Sequence, residues 1–69
     1  MPYVHVRITP PGTPRERKEA VIKGITDVLV NELDKDPALT FVVIEEVATD
    51  DWGVAGESVT TRRAKGGAR

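Results

Sequence analysis

The sequence contains no cysteine and only one histidine, one tryptophan, one tyrosine and one phenylalanine. Without cysteine, the protein has neither disulfides nor thiolate metal ligands to stabilise it. The single histidine, His5, cannot form a site with several histidine ligands, so we expect no metal. No apolar run approaches the roughly 20 residues that a membrane-spanning helix needs. Residues 1–6 also lack the basic start and apolar stretch of a signal peptide, so we expect a cytoplasmic protein with no membrane partner.

The length of 69 residues is that of one small domain. Folded alone, a chain of this size hides only about 60% of the surface that its extended form exposes, so its core is marginal. Since disulfides and thiolate metal sites are excluded, the usual remaining route to stability is self-association. We therefore expect a homo-oligomer.

Positive charge is concentrated at the C-terminus, although the net charge is only −1. Residues 62–69 carry four basic side chains and no acidic one, so this segment has a charge of about +4 and the rest of the chain about −5. An acidic body argues against nucleic acid as a partner, because phosphates bind to basic surfaces. Residues 64–69 have nothing to bury, and we expect a flexible basic tail after a domain that spans residues 1–63.

The first third of the chain predicts a strand followed by a helix. Apolar and polar side chains alternate from Tyr3 to Thr9, which is typical of a half-buried strand. The sequence Thr13-Pro14-Arg15-Glu16 then predicts a helix start, with Thr13 and Glu16 as a capping box. Residues at helical spacing predict one apolar stripe along the helix: Ile22, Ile25, Leu29 and Leu33. Pro37 ends the helix, because the residue before a proline is pushed out of helical geometry.

A second strand is predicted from Leu39 to Val47. Phe41, Val42, Val43 and Ile44 are consecutive apolar residues, which indicates a strand covered on both faces. One helix covers only one face, so the other face must meet another surface, most simply a second copy of the chain. The long crossover predicts that the two strands are parallel. Residues 48–57 then predict a turn and a short hairpin, which residues 58–61 extend. The expected fold is α+β, with a β-α-β subunit, a short C-terminal hairpin and assembly into an oligomer.

Most catalytic groups are missing from the sequence, but the second residue is a proline. Glu45 and Glu46 are neighbours on a strand, so their side chains point to opposite faces and do not form a carboxylate dyad. Removal of Met1 is favoured when the second side chain is small, and it leaves Pro2 with a free secondary amine at the start of a strand. That amine acts as a general base once its pKa is lowered enough for it to be neutral. If Met1 stays, the nitrogen is an amide and has no such chemistry.

Several motifs, taken together and in this order, resemble the 4-oxalocrotonate tautomerase family over about residues 2 to 63. The motifs are Met1-Pro2-Tyr3-Val4, Thr13-x-x-Glu16-x-Lys18, Ile25-Thr26, Val43-Ile44-Glu45-Glu46-Val47 and Trp52-Gly53-Val54-x-Gly56-Glu57. The resemblance implies a β-α-β subunit that pairs into dimers and commonly into a hexamer. It also implies a cofactor-free isomerase, in which an amino-terminal proline takes a proton from an enol hydroxyl or an α-carbon and returns it to another carbon.

The resemblance assigns the catalytic base to Pro2 and a wall of the pocket to Trp52. Thr9 falls near a position that lines the neighbouring subunit's pocket in the family. The family's two substrate-binding arginines, one in the loop before the helix and one in the second strand, have no counterpart here. We therefore consider other arginines as carboxylate ligands: Arg7, Arg15, Arg62 and Arg63. The predicted substrate is an enol, a 2-hydroxydienoate or an unsaturated acid.

Two alternatives to a tautomerase stay open from the sequence. The first is a catalytically silent binding or scaffold protein on the same fold, which the missing arginines and retention of Met1 favour. The second is nucleic-acid binding through residues 62–69, which predicts steeply salt-dependent binding.

Overall fold

A computed structural model describes residues 1–66. Six regular elements follow one another: β1 (Tyr3–Ile8), α1 (Arg15–Leu33), β2 (Phe41–Glu46), β3 (Gly53–Val54), β4 (Glu57–Ser58) and α2 (Val59–Ala64). Short 3-10 turns at Pro37–Leu39 and Thr49–Asp51 precede β2 and β3. Neither helix in this part of the chain has the length and apolarity that crossing a bilayer requires.

The centre of the fold is the pairing of β1 with β2, which are parallel as predicted. In this register Val4 pairs with Val42 and Val6 with Ile44, so these four apolar side chains share one face. β2 is shorter than predicted, because Leu39 belongs to the preceding 3-10 turn and Val47 follows the strand. The β3 and β4 strands form a separate antiparallel hairpin.

Helix α1 covers the face of the sheet that carries the four apolar side chains. Ile25 and Leu29 are half-buried, in agreement with the predicted stripe. Ile22 and Leu33 were expected in the same stripe but are exposed, because α1 packs mainly against β2, and this one strand covers only part of the stripe.

The other face of the sheet is open in the isolated chain. Its apolar side chains are largely exposed: Tyr3 by 61%, Phe41 by 47% and Val43 by 42%. None of residues 1–66 is fully buried. The radius of gyration is 15.4 Å, compared with about 11 Å for a compact domain of this length. A single chain therefore leaves one sheet face without a cover, as the consecutive apolar residues of β2 indicate.

The start of α1 differs from the predicted capping box. The helix begins at Arg15, and Pro14, the residue before it, makes no side-chain capping bond. The backbone N–H of Thr13 instead donates to the Glu46 carboxylate, with 2.9 Å between N and Oε2. A carboxylate from the sheet thus lies at the helix N-terminus, where negative charge is favourable. The end of α1 at Leu33 agrees with the prediction.

Helix α2 is a correction to the predicted extension of the hairpin over residues 58–61. The hairpin ends at Ser58, whose hydroxyl accepts the backbone N–H of Thr61 at 3.1 Å and so caps the helix. The predicted tail, residues 64–69, lies partly in this element, because Ala64 is its last residue and Lys65 binds the Glu57 carboxylate. Residues 67–69 lie outside the described residues.

The turn between β3 and β4 yields a prediction about stability. Ala55 and Gly56 both have positive φ angles, 54° and 85°. A two-residue hairpin turn of this kind favours Asn-Gly, and a side chain other than Asn, Asp or Gly is strained there. We expect Ala55→Asn to raise the free energy of unfolding by about 0.5–1 kcal/mol.

The matched variant at the next position is Gly56→Ala. A Cβ at Gly56 meets no atom within 4 Å, so its effect comes from the backbone alone. We expect this variant to lower the free energy of unfolding by about 1–2 kcal/mol. Urea denaturation at one fixed protein concentration measures both changes. Equal stability of the two variants would contradict the assignment of the turn.

Candidate active site

Trp52 separates two clefts on the surface of the chain. It follows the turn Thr49–Asp51 and is half-buried. Its backbone carbonyl accepts the N–H of Val59 at 2.8 Å, so the main chain at Trp52 is bound to the start of α2. Both clefts are lined in part by this side chain.

The first cleft, which we call the α2 cleft, has a volume of about 470 Å³. Its lining residues come from the end of β1, the hairpin and α2: Ile8, Thr9, Trp52, Val54, Val59, Arg62 and Arg63. Four of these side chains are apolar, two are guanidinium groups and, within this set, none is acidic. The α2 cleft is therefore an apolar site with a positive charge, which suits a small organic anion.

The second cleft, which we call the acidic cleft, has a volume of about 400 Å³ and lies on the other side of Trp52. It is lined by Arg7, Glu45, Val47, Asp51, Trp52 and Gly53. Nε of Arg7 donates to Oε1 of Glu45 at 3.2 Å. The same oxygen lies 2.8 Å from Nε2 of His5. The guanidinium of this cleft is therefore already paired, and two carboxylates make the cleft unfavourable for an anion.

The two adjacent carboxylates of β2 have separate surroundings, as the strand geometry predicts. The Arg7 hydrogen bond, and then the His5 hydrogen bond, lower the pKa of Glu45 below its ordinary value. The backbone N–H of Thr13 lowers the pKa of Glu46, and the Lys18 ammonium, 3.5 Å from Oε2 of Glu46, adds to this effect. The two groups lie on opposite faces of the sheet and do not share a proton.

Hydrogen bonds fix the turn before Trp52 to α2. The hydroxyl oxygens of Thr49 and Thr60 are 2.6 Å apart, and the Thr60 hydroxyl also donates to the Asp50 carboxylate. Below them, Glu57 binds Lys65 and lies 3.6 Å from Nη1 of Arg62. Polar contacts thus hold α2 against the turn before Trp52 and against β4.

Of the residues that the sequence singles out, only Thr9 and Trp52 lie together with the two α2 arginines in the α2 cleft. Arg7 lines the acidic cleft instead. Arg15 lies in neither cleft: its side chain is 88% exposed and its Nε donates to Glu19 at 3.0 Å. Pro2 is half-buried at the opposite end of β1, where its carbonyl accepts the N–H of Phe41 at 3.0 Å. Because β1 rises by about 3.3 Å per residue, Pro2 and Thr9 of one chain are about 23 Å apart.

Sequence reasoning missed the apolar walls of the α2 cleft. Val54 and Val59 are placed there by the hairpin and by α2, and α2 was not predicted. The threonines and the β-branched Val59 have low helix propensity, which concealed the helix. The available signal was Ser58, a favourable N-cap residue three positions before Thr61.

Comparisons with known proteins agree with this fold. A family model described as "Tautomerase enzyme" matches residues 2–62. The probable tautomerase K2 of Dickeya dadantii is 54% identical over 63 residues, which cover 91% of this chain and 94% of that protein. The 2-hydroxymuconate tautomerase of Comamonas testosteroni is 34% identical over 58 residues, covering 84% and 90% of the two chains. The crystal structure of DmpI from Helicobacter pylori superposes with a TM-score of 0.85 at 34% identity, covering 91% of this chain and 97% of that one.

The chain therefore belongs to the tautomerase family. This confirms the family membership indicated by the sequence motifs, together with the β-α-β fold and its C-terminal hairpin. It also confirms the predicted enzyme class, an isomerase of the tautomerase type, without specifying the substrate.

The ion pairs of β2 yield a prediction about pH. Arg7→Met should raise the pKa of Glu45 towards its ordinary value of 4.5 and leave that of Glu46 low. Because the pKa of Glu45 is lower in the folded protein than in the unfolded one, this carboxylate stabilises the fold above its unfolded pKa. That contribution is lost as the pH falls through the folded pKa.

Side-chain carboxyl NMR titration measures both glutamates in one sample. The matched control is Lys18→Met, which should move the titration of Glu46 and leave that of Glu45 unchanged. An unaltered Glu45 titration in Arg7→Met would show that the guanidinium is not the main cause of its low pKa.

Proposed function

We propose that the protein is a cofactor-free tautomerase whose general base is the amino-terminal nitrogen of Pro2, after Met1 has been removed. The observation that carries the proposal is the family match, which begins at Pro2 and includes every residue that lines the α2 cleft except Arg63. The proposed substrate is an enol or a 2-hydroxydienoate-type acid. The proposal keeps the cytoplasmic location expected from the sequence.

The proposed reaction moves one proton and needs no oxidant or reductant. The lone pair of the Pro2 nitrogen takes the proton from the enol hydroxyl or from a carbon next to the carbonyl. The resulting ammonium then returns the proton to another carbon of the same molecule, and the amine is neutral again. Apolar surroundings favour the neutral amine, because burial disfavours the protonated form.

A second copy of the chain is needed to bring Pro2 to the α2 cleft. Pro2 and Thr9, which lines the α2 cleft, are about 23 Å apart in one chain, since they lie at opposite ends of β1. Among the described residues β1 pairs only with β2, so its other edge has unpaired backbone groups. Antiparallel pairing of β1 with β1 of a second copy puts the start of each strand beside the end of the other. Such a pair is symmetric and creates two equivalent sites.

Further assembly beyond this dimer is supported by the open sheet face. Edge-to-edge pairing leaves Tyr3, Phe41 and Val43 uncovered, because these side chains point out of the sheet rather than along it. Contact between the open faces of several dimers buries them. We therefore favour a hexamer over a dimer, and analytical ultracentrifugation distinguishes the two.

The test of the proposed base compares two positions of the same affinity tag. An N-terminal tag acylates the Pro2 nitrogen, so ketonisation of phenylenolpyruvate should be lost, whereas a C-terminal tag should preserve it. Pro2→Ala in the C-terminally tagged protein should lower kcat/KM by about 100-fold or more, the usual contribution of a general base. Intact mass of each C-terminally tagged sample must show that Met1 is absent.

The matched control is Pro37→Ala, which changes a proline at the start of a 3-10 turn away from both clefts. It should retain turnover. Full activity of the N-terminally tagged protein would exclude Pro2 as the base. If Met1 is retained in all chains and no enol is turned over, the alternative of a catalytically silent binding or scaffold protein is favoured.

A further inference from the structure

The structure distinguishes between the arginines that the sequence leaves as candidates for binding a substrate carboxylate. Arg7 is paired with Glu45 in the acidic cleft, and Arg15 is paired with Glu19 on an exposed helix turn. Each of these two guanidinium groups already donates a hydrogen bond to a carboxylate, which offsets part of its attraction for a second one. Arg15 also lines neither cleft, so neither arginine is suited to the task.

The charges around α2 leave an excess of positive charge at the other cleft. Three cations and two acids lie on or against α2: Arg62, Arg63, Lys65, Glu57 and Asp50, whose carboxylate accepts the Thr60 hydroxyl. Their net charge is about +1, and Glu57 is shared between Lys65 and Arg62. The lining of the α2 cleft contains two guanidinium groups and no carboxylate. The two sides of Trp52 therefore carry opposite charge, and an anion is favoured only on the α2 side.

Arg62 is better placed than Arg63 to bind an anion inside this cleft. Its side chain is 32% exposed, whereas Arg63 is an exposed residue. Nη1 of Arg62 lies 3.6 Å from Oε1 of Glu57, which is too long for a hydrogen bond but close enough to hold the guanidinium in place. Its donors thus stay available, and they are screened less by water than those of an exposed arginine.

We propose that Arg62 binds the substrate carboxylate, in place of the family arginines that this sequence lacks. The planar guanidinium fits a carboxylate with two parallel hydrogen bonds. This assignment rests on the proposed tautomerase function and names its substrate class. The remaining walls are Trp52, Ile8, Val54 and Val59, which suit a flat apolar group. The substrate is therefore an enol acid with one carboxylate and a planar, apolar remainder.

Trp52 provides a direct readout of binding, because it is the only tryptophan of the chain and lines the α2 cleft. The probe is trans-cinnamate, a planar unsaturated acid, and its uncharged analogue is cinnamide. Cinnamate should change the Trp52 fluorescence of the wild-type protein in a saturable way. Arg62→Gln should weaken cinnamate binding by about tenfold or more, the usual effect of losing a charge-assisted pair of hydrogen bonds.

The controls separate charge from folding. Arg7→Gln and Arg15→Gln should leave the dissociation constant of cinnamate within about twofold, since both guanidinium groups are paired elsewhere. Cinnamide should bind the wild-type protein and Arg62→Gln equally. Arg62→Lys keeps the positive charge beside Glu57 without the two-pronged geometry, so its affinity should fall between those of the wild type and Arg62→Gln.

The proposal fails if cinnamate does not bind, if Arg62→Gln binds it as the wild type does, or if Arg7→Gln is the variant that loses it. If Arg62→Gln also loses cinnamide binding, the substitution has damaged the fold. That result counts against carboxylate binding by Arg62, unless Arg62→Lys binds cinnamate more tightly than cinnamide. None of these measurements needs turnover. Binding that depends on Arg62 in a protein with no tautomerase activity would therefore refute the proposed function while supporting the site.

Discussion

The parallel pairing of β1 with β2 determines where the functional groups of this molecule lie and which surfaces it leaves uncovered. It places Pro2 at one end of a six-residue strand and Thr9, which lines the α2 cleft, at the other end. It also divides the side chains of both strands between a face covered by α1 and a face left open. Helix α1 covers only one face of the two central strands, so one copy alone leaves the other face exposed. The pairing of β1 with β2 therefore explains two features: the distance between Pro2 and the α2 cleft, and the exposed face of the sheet.

The two clefts that Trp52 lines differ in charge. Glu45 and Asp51 lie on one side of Trp52, and the arginines of α2 lie on the other. Since Arg7 is neutralised by Glu45, only the α2 side attracts an anion. The short helix is held in this position by the bond between Val59 and the Trp52 carbonyl and by the contacts of Thr60. The proposed binding site for an acid therefore depends on an element that contributes nothing to the central sheet.

The main elements could be predicted because they are strongly patterned. The alternation in β1 and the four consecutive apolar residues of β2 have a direct physical meaning, and the structure agrees with both. The capping box of α1 was wrong, because the carboxylate that meets Thr13 comes from Glu46, 33 residues away in sequence. Helix α2 was missed because three of its six residues are β-branched, so local propensity does not reveal a helix that its neighbours stabilise.

The candidate site was predicted only in part. Thr9 and Trp52, both singled out through the family resemblance, line the same cleft, but Arg7 and Arg15 have partners that no sequence pattern shows. Ion pairs such as Arg7–Glu45 depend on strand register, which is set by the fold and not by spacing along the chain. The distance between Pro2 and the α2 cleft could not be predicted from the sequence either, because it depends on which end of β1 each residue occupies.

A crystal structure of the protein with Met1 removed, in its native assembly and with cinnamate bound, tests the central claim most directly. The account predicts that the Pro2 nitrogen of one copy lies in the α2 cleft of another copy, next to Trp52 and on the same side of it as Arg62. A structure in which every Pro2 nitrogen faces solvent, or lies against the acidic cleft, would contradict the account.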